Sequence, residues 1–213
     1  MIEIICYGDS NTYGFCPEGM SERYSKEIRW VERMQTMLGE GFLVHNEGLN
    51  GRTTDLDDLF DTDRNGAKSL PVVLRKYPEA DLLILMIGTN DLKSYFGRNA
   101  EQIAEAAAEL VIVAKEIMKK DAKILFVSPV LVGKAMDKSP FGLEFGAVRS
   151  RNESLRFAEL YKKRAKMLGV EFMSASDYAE VSDADALHLS AEGHKNLAEA
   201  FYQKVGELFD KKL

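Results

Sequence analysis

The amino-acid sequence predicts an α/β fold with a five-stranded parallel sheet covered by helices on both faces. Two observations carry this expectation. Short apolar runs alternate along the chain with longer amphipathic or alanine-rich stretches, the order that parallel strands with crossover helices produce. One run, Leu82–Ile87, is apolar at every position, as a central parallel strand buried on both faces must be.

The elements follow in order. Ile2, Ile4, Ile5, Cys6 and Tyr7 form a first strand that stops at Gly8. Glu27–Leu38 is an amphipathic helix with Ile28, Val31, Met34 and Leu38 on one face. Phe42–His45 is a second strand ending at Asn46-Glu47-Gly48, and Leu82–Ile87 is the third. Ala100–Lys120 is a long alanine-rich helix, Ile124–Val127 a fourth strand ending at Ser128-Pro129, and Val148–Leu168 a further helix. Val170–Met173 is the fifth strand, and Ala191–Phe209 the closing helix with Ser190 as its N-cap. The segments Gly51–Pro71 and Pro129–Gly146 lack periodicity. Both follow strand ends, so both are expected over the same sheet rim, as functional or interface-forming segments or as plain surface insertions.

Bulk properties narrow the function. A chain of 213 residues, 46% hydrophobic and 29% charged, suits one globular domain over residues 1–213. A formal charge of −6, from 28 basic and 34 acidic residues, argues against a nucleic-acid or anionic-membrane surface. No apolar run reaches the roughly 18–20 residues of a membrane span, and the start of the chain lacks the basic and long apolar regions of a signal peptide. The two cysteines, Cys6 and Cys16, make no disulfide framework and read as free thiols in a reducing cytoplasm. The histidines and cysteines show no metal-ligand spacing, and Gly8 and Gly14 form no dinucleotide fingerprint, so neither metal nor cofactor is expected.

Parallel strands place their C-terminal ends on one edge, where open α/β sheets bind ligands. Ser10 follows strand one, Gly48 follows strand two, and Gly88-Thr89-Asn90-Asp91 follows strand three. Acyl transfer needs a nucleophile and donors aimed at the developing oxyanion. Ser10 offers the first, and the Ser10 N–H, the Gly48 N–H and the Asn90 amide could supply the second; Gly48 and Asn90 also read as turn residues. Among three histidines, His45 falls inside a strand and His194 inside a helix. His188 lies in the loop Asp185-Ala186-Leu187-His188-Leu189. A carboxylate three residues before it can bond Nδ1–H and leave Nε2 to take the serine proton, although an Asp/His surface loop has the same letters. Cys16 has no histidine nearby in sequence and is set aside as a nucleophile.

Gly8-Asp9-Ser10, Asn46-x-Gly48, Gly88-Thr89-Asn90-Asp91 and Asp185-x-x-His188 resemble, in order and spacing, the blocks of the SGNH (GDSL-like) hydrolase superfamily over almost the whole chain. The resemblance implies a flavodoxin-like three-layer α/β/α sandwich with strand order 2-1-3-4-5. It also implies nucleophile Ser10, base His188, orienting acid Asp185, and oxyanion donors Ser10, Gly48 and Asn90. Arg29-Trp30, Glu47-Gly48-Leu49, Arg52-Thr53-Thr54, Asn65-Gly66-Ala67, Leu70-Pro71 and Lys93-x-Tyr95-Phe96 are similar to one branch, the small intracellular arylesterase/acyltransferases also known for perhydrolysis. That branch implies a homo-oligomer, tetramer or octamer, with a narrow apolar entrance. The sequence departs from the superfamily at Asn11, where Leu is usual. Asn11, Tyr13 and Phe15 are taken as substrate-binding residues, the two aromatics either walling the acyl pocket or filling the core.

The expected function is a cytoplasmic serine esterase that acts on small esters through an acyl-enzyme, with water, an alcohol or peroxide as acceptor. A deacetylase of acetylated sugars or cell-wall fragments uses the same residues. A non-catalytic α/β binding module that keeps the fold is the alternative of another class.

Overall fold

The computed structural model describes residues 1–19, 22–60 and 62–210. Five strands, β1 (Ile2–Gly8), β2 (Phe42–Gly48), β3 (Leu82–Met86), β4 (Lys123–Ser128) and β5 (Glu171–Ser174), form one parallel sheet in the order 2-1-3-4-5. Successive side chains of a strand point to opposite faces, and the two cores follow that alternation. Ile5, Tyr7, Leu83, Leu85 and Phe126 pack on one face beneath α3 (Gly66–Lys76), α4 (Ala100–Ile117) and α7 (Phe157–Leu168). Ile4, Cys6, Leu82, Ile84, Met86, Leu125 and Val127 pack on the other beneath α2 (Trp30–Leu38) and α8 (Ala191–Leu208). Because both faces are covered, β3 is buried along its whole length. These faces give the three-layer α/β/α sandwich expected from the sequence.

Register is what positions the site. Gly8 pairs with Gly48 and with Met86, and Met86 with Val127, so the strands end together along one edge. The turns that leave this edge are α1 (Ser10–Tyr13) after β1, the Leu49–Thr54 segment after β2, and a 3₁₀ turn over Asn90–Leu92 after β3.

The structure departs from the sequence reading in several elements. Helix α3 occupies a stretch read partly as irregular, because Pro71 lies inside it. A proline removes one helical donor and argues locally against a helix, but Asn65 caps the start by accepting from the Lys68 amide, and Leu70 and Leu74 are buried in the core. Val148–Leu168 is two helices, α6 (Ala147–Ser154) and α7, preceded by the short α5 (Gly142–Phe145). The break falls where Ser154 is buried and its hydroxyl accepts from the Val132 amide. Helix α2 begins at Trp30 rather than Glu27. The closing helix carries the expected N-cap, Ser190 accepting from Gly193 N at 3.0 Å. Among the described residues, no helix is long and apolar enough to cross a membrane.

Candidate active site

The site begins where β1 stops. A Cβ on Gly8 would lie 2.4 Å from the Met86 carbonyl and 2.2 Å from the Thr12 hydroxyl, so only glycine fits. Asp9 then caps α1, its carboxylate accepting from Asn11 N at 2.9 Å. Burial pushes the Asp9 carboxyl up, against the pull of that amide. Ser10 is therefore the first residue of a helical turn, with its amide among the orphan donors of the helix start. The turn closes at Gly14, which adopts φ 94°.

The Asp185–His188 loop supplies the partner groups. One Asp185 oxygen accepts from the amides of Leu187 and His188, each at 2.9 Å. The other lies 2.6 Å from His188 Nδ1. A carboxylate only accepts, so Nδ1 carries the proton and Nε2 is left as an acceptor. Ser10 Oγ lies 2.8 Å from that Nε2 and donates to it. Burial raises Asp185, but the hydrogen bonds and charge of His188 with the two amides outweigh it and hold the carboxyl below its usual range. All three residues are buried. The loop is tight: Ala186 adopts φ 56°, a conformation uncommon outside glycine, and its carbonyl accepts from Gly133 N at 2.7 Å. The Ser139 hydroxyl donates to the Asp185 carbonyl. Phe15 lies on the His188 ring with centroids 4.2 Å apart, and Phe141 meets it edge-on at 5.6 Å.

One of the three expected oxyanion donors, the Gly48 amide, already has an acceptor. Gly48 N donates to the Asn46 side chain at 3.1 Å, so this amide is already engaged. Gly48 is glycine for packing: a Cβ there would lie 2.1 Å from Tyr13 N. Among the described residues the amide of Gly51 has no acceptor, and Gly51 holds φ 75° in the turn that follows. Asn90 Nδ2 donates to the Arg52 carbonyl at 3.0 Å, which sets the Asn90 amide beside the Arg52–Thr53 peptide and leaves its second N–H unspent. Arg52 braces this turn. Its guanidinium is buried 4.0 Å over the Tyr7 ring and donates to the carbonyls of Gly8 (2.7 Å) and Glu47, tying the turn to the ends of β1 and β2. Gly51 was legible only as a glycine in an aperiodic segment.

Of the residues expected to bind substrate, Phe15 lies against the His188 ring. Asn11 is buried, and its carboxamide bonds backbone of the His188 loop instead of facing an acyl pocket. Tyr13 is engaged by Arg23, whose guanidinium sits 4.2 Å over the ring. His45 bonds Glu3 at 2.7 Å and stacks on Tyr77. His194 is fully buried, accepts from Trp30 N at 3.3 Å, and is driven down to about 3 by burial. Cys6 and Cys16 are both free thiols.

Comparison with known proteins places this geometry. A sequence profile of GDSL-like lipases and acylhydrolases matches residues 6–195. A carbohydrate acetylesterase from Sinorhizobium meliloti is 35% identical, with a TM-score of 0.88 over 98% of this chain and 100% of that one. A second S. meliloti structure, of a carbohydrate acetylesterase family member, is 32% identical with a TM-score of 0.89, covering 98% and 99%. The aryl esterase of M. smegmatis is 30% identical with a TM-score of 0.87, covering 98% and 100%. No curated sequence matches the chain.

Proposed function

This chain belongs to the GDSL-like lipase/acylhydrolase family and is an SGNH-type carboxylic ester hydrolase, and from that premise we propose that Ser10, His188 and Asp185 are its catalytic triad and that it cleaves small, short-acyl esters. The observation that carries the assignment is the unbroken line of contacts from Asp185 Oδ2 through the imidazole to Ser10 Oγ, 2.6 and 2.8 Å long.

Ser10 Oγ attacks the ester carbonyl while its proton passes to His188 Nε2. Asp185 holds the ring tautomer and stabilises the imidazolium that forms. The tetrahedral oxyanion takes hydrogen bonds from Ser10 N–H, Gly51 N–H and the second Asn90 Nδ2–H, each without an acceptor among the described residues. Collapse expels the alcohol, which takes the proton from His188. Water then attacks the acyl-Ser10 ester with His188 again accepting the proton, and the carboxylic acid leaves. An alcohol or peroxide in place of water makes the same step an acyl transfer.

Both aryl esters and acetylated sugars fit this chemistry, and the two S. meliloti acetylesterases support the sugar reading beside the M. smegmatis aryl esterase. The protein acts as a cytoplasmic homo-oligomer. Its two thiols are unpaired, and Leu59, Phe60 and Leu143 are 74%, 85% and 99% exposed on the segments beside the site. Rates on a panel of esters varied separately in acyl and alcohol parts test the substrate class. Preference for acetyl over long acyl groups is expected, and fastest turnover of octanoate overturns it.

A further inference from the structure

We propose that Asn11 is a positioning residue for the general base: its carboxamide clamps the two peptide groups that flank His188 and so fixes the imidazole against Ser10. The inference rests on the reading of Ser10 and His188 as nucleophile and base.

Asn11 Nδ2 donates to the Leu187 carbonyl at 3.2 Å, and Asn11 Oδ1 accepts from the Leu189 amide at 2.8 Å. One side chain thus holds the backbone immediately before and immediately after the base. Asn11 directly follows Ser10 in the same helical turn. The element that carries the nucleophile therefore also grips the loop that carries its partner, across more than 170 residues of sequence.

The grip is anchored from behind. The Asn11 carbonyl accepts from the Trp30 indole N–H at 2.9 Å, and the Trp30 amide donates to His194 Nδ1 at 3.3 Å. His194 lies in α8, which continues from the His188 loop, so the contacts close a ring: α1, the loop, α8, α2 and back to α1. The other polar bonds of the loop run inward or elsewhere. The Asp185 carboxylate fixes the loop to itself, the Ser182 amide donates to the His188 carbonyl, and Gly133 and Ser139 tie it to the segment after β4. Asn11 ties it to the nucleophile.

An apolar side chain of similar size at position 11 keeps the volume and loses both bonds. It leaves the Leu187 carbonyl and the Leu189 amide unpaired at residues that are themselves buried. The loop is then free to shift relative to Ser10, and a displacement near 1 Å between reacting groups costs about 10²-fold in rate.

The test compares wild type with Asn11→Leu and Asn11→Asp on an aryl acetate. Circular dichroism follows folding, and proton NMR follows the His188 Nδ1–H resonance. Asn11→Leu is expected to lower kcat about 10²-fold while KM stays within about a factor of two, because the interaction serves the transition state. The Nδ1–H signal should shift or broaden. Asn11→Asp keeps the acceptor for Leu189 N–H and loses the donor to Leu187, so it should lose part of the same kcat. If the leucine variant does not fold, the aspartate variant decides alone. Wild-type kcat in a folded variant overturns the clamp, as does a loss that only matches the unfolded fraction. Wild-type enzyme labelled at Ser10 by a fluorophosphonate, together with an inactive His188→Ala, keeps the triad standing whatever the Asn11 variants do. Failure of those two controls brings down the triad itself.

Discussion

Two residues at the strand ends show how one atom assigns a role. Gly48 ends β2, Asn90 follows β3, and both read as oxyanion donors, yet Gly48 spends its amide on Asn46 and is held to glycine by the Tyr13 backbone 2.1 Å from any Cβ. Gly48→Ala should therefore lower Tm and activity together, because overpacking against backbone has no cheap relaxation. Asn90→Ala should lower kcat by roughly 10²–10³-fold with a smaller change in KM, as expected for a donor that serves the transition state. Steady-state kinetics with thermal melts of both variants separates the two roles. An Asn90→Ala enzyme with wild-type kcat would make Asn90 a turn residue only. The difference at Gly48 was not legible in the sequence, since nothing in Asn-Glu-Gly tells whether the side chain two residues earlier turns back onto the amide. Asn11 was legible as an oddity beside the nucleophile, but its partners are remote in sequence and only the fold supplies them.

At the scale of elements, the turns after β2 and β3 are joined by a buried carboxyl. Asp91 accepts from the Thr54 amide at 2.9 Å and from the Thr54 hydroxyl at 2.5 Å, and burial drives it up to about 7 against those bonds and the charge of Arg98. A carboxyl raised in the folded state binds more protons there than in the unfolded chain. Its stabilising contribution is thus complete below the ordinary value near 4 and is lost as pH rises through about 7. His194, depressed to about 3, slopes the other way as pH falls from its ordinary value. Asp91→Asn isolates the first term: its amide can satisfy Thr54 without a charge. The variant should be more stable than wild type at pH 8, by up to about 4 kcal/mol, with the difference vanishing near pH 4. Urea melts across that range check this, and a pH-independent difference contradicts it. The strands and the long helices were legible because apolar runs and amphipathic periodicity are local. Helix α3 was hidden by Pro71, and the break between α6 and α7 by a Ser154 whose partner, Val132, lies in another segment.

At the scale of the molecule, the two segments that rise over the rim are joined to each other. Lys93 bonds Asp58 at 2.7 Å and Glu144 at 3.0 Å, and Tyr95 bonds Asp58 at 2.9 Å while its ring meets Phe60 edge-on. Several of their apolar residues are core: Leu70, Val132 and Phe145 are buried. What remains, Leu59, Phe60 and Leu143, is the face a second subunit would cover, narrowing the approach to Ser10. Light scattering should find an oligomer, and Phe60→Lys with Leu143→Lys should weaken it and relax the preference for acetate over butyrate esters. A monomeric wild type sinks that expectation. The central claim, that Ser10 is the covalent nucleophile, is tested most directly by mass spectrometry of the protein after reaction with a fluorophosphonate, read beside Ser10→Ala. One adduct on the peptide carrying Ser10, and a folded alanine variant that neither labels nor turns over esters, is the predicted result; an adduct elsewhere, or substantial turnover by Ser10→Ala, would contradict it.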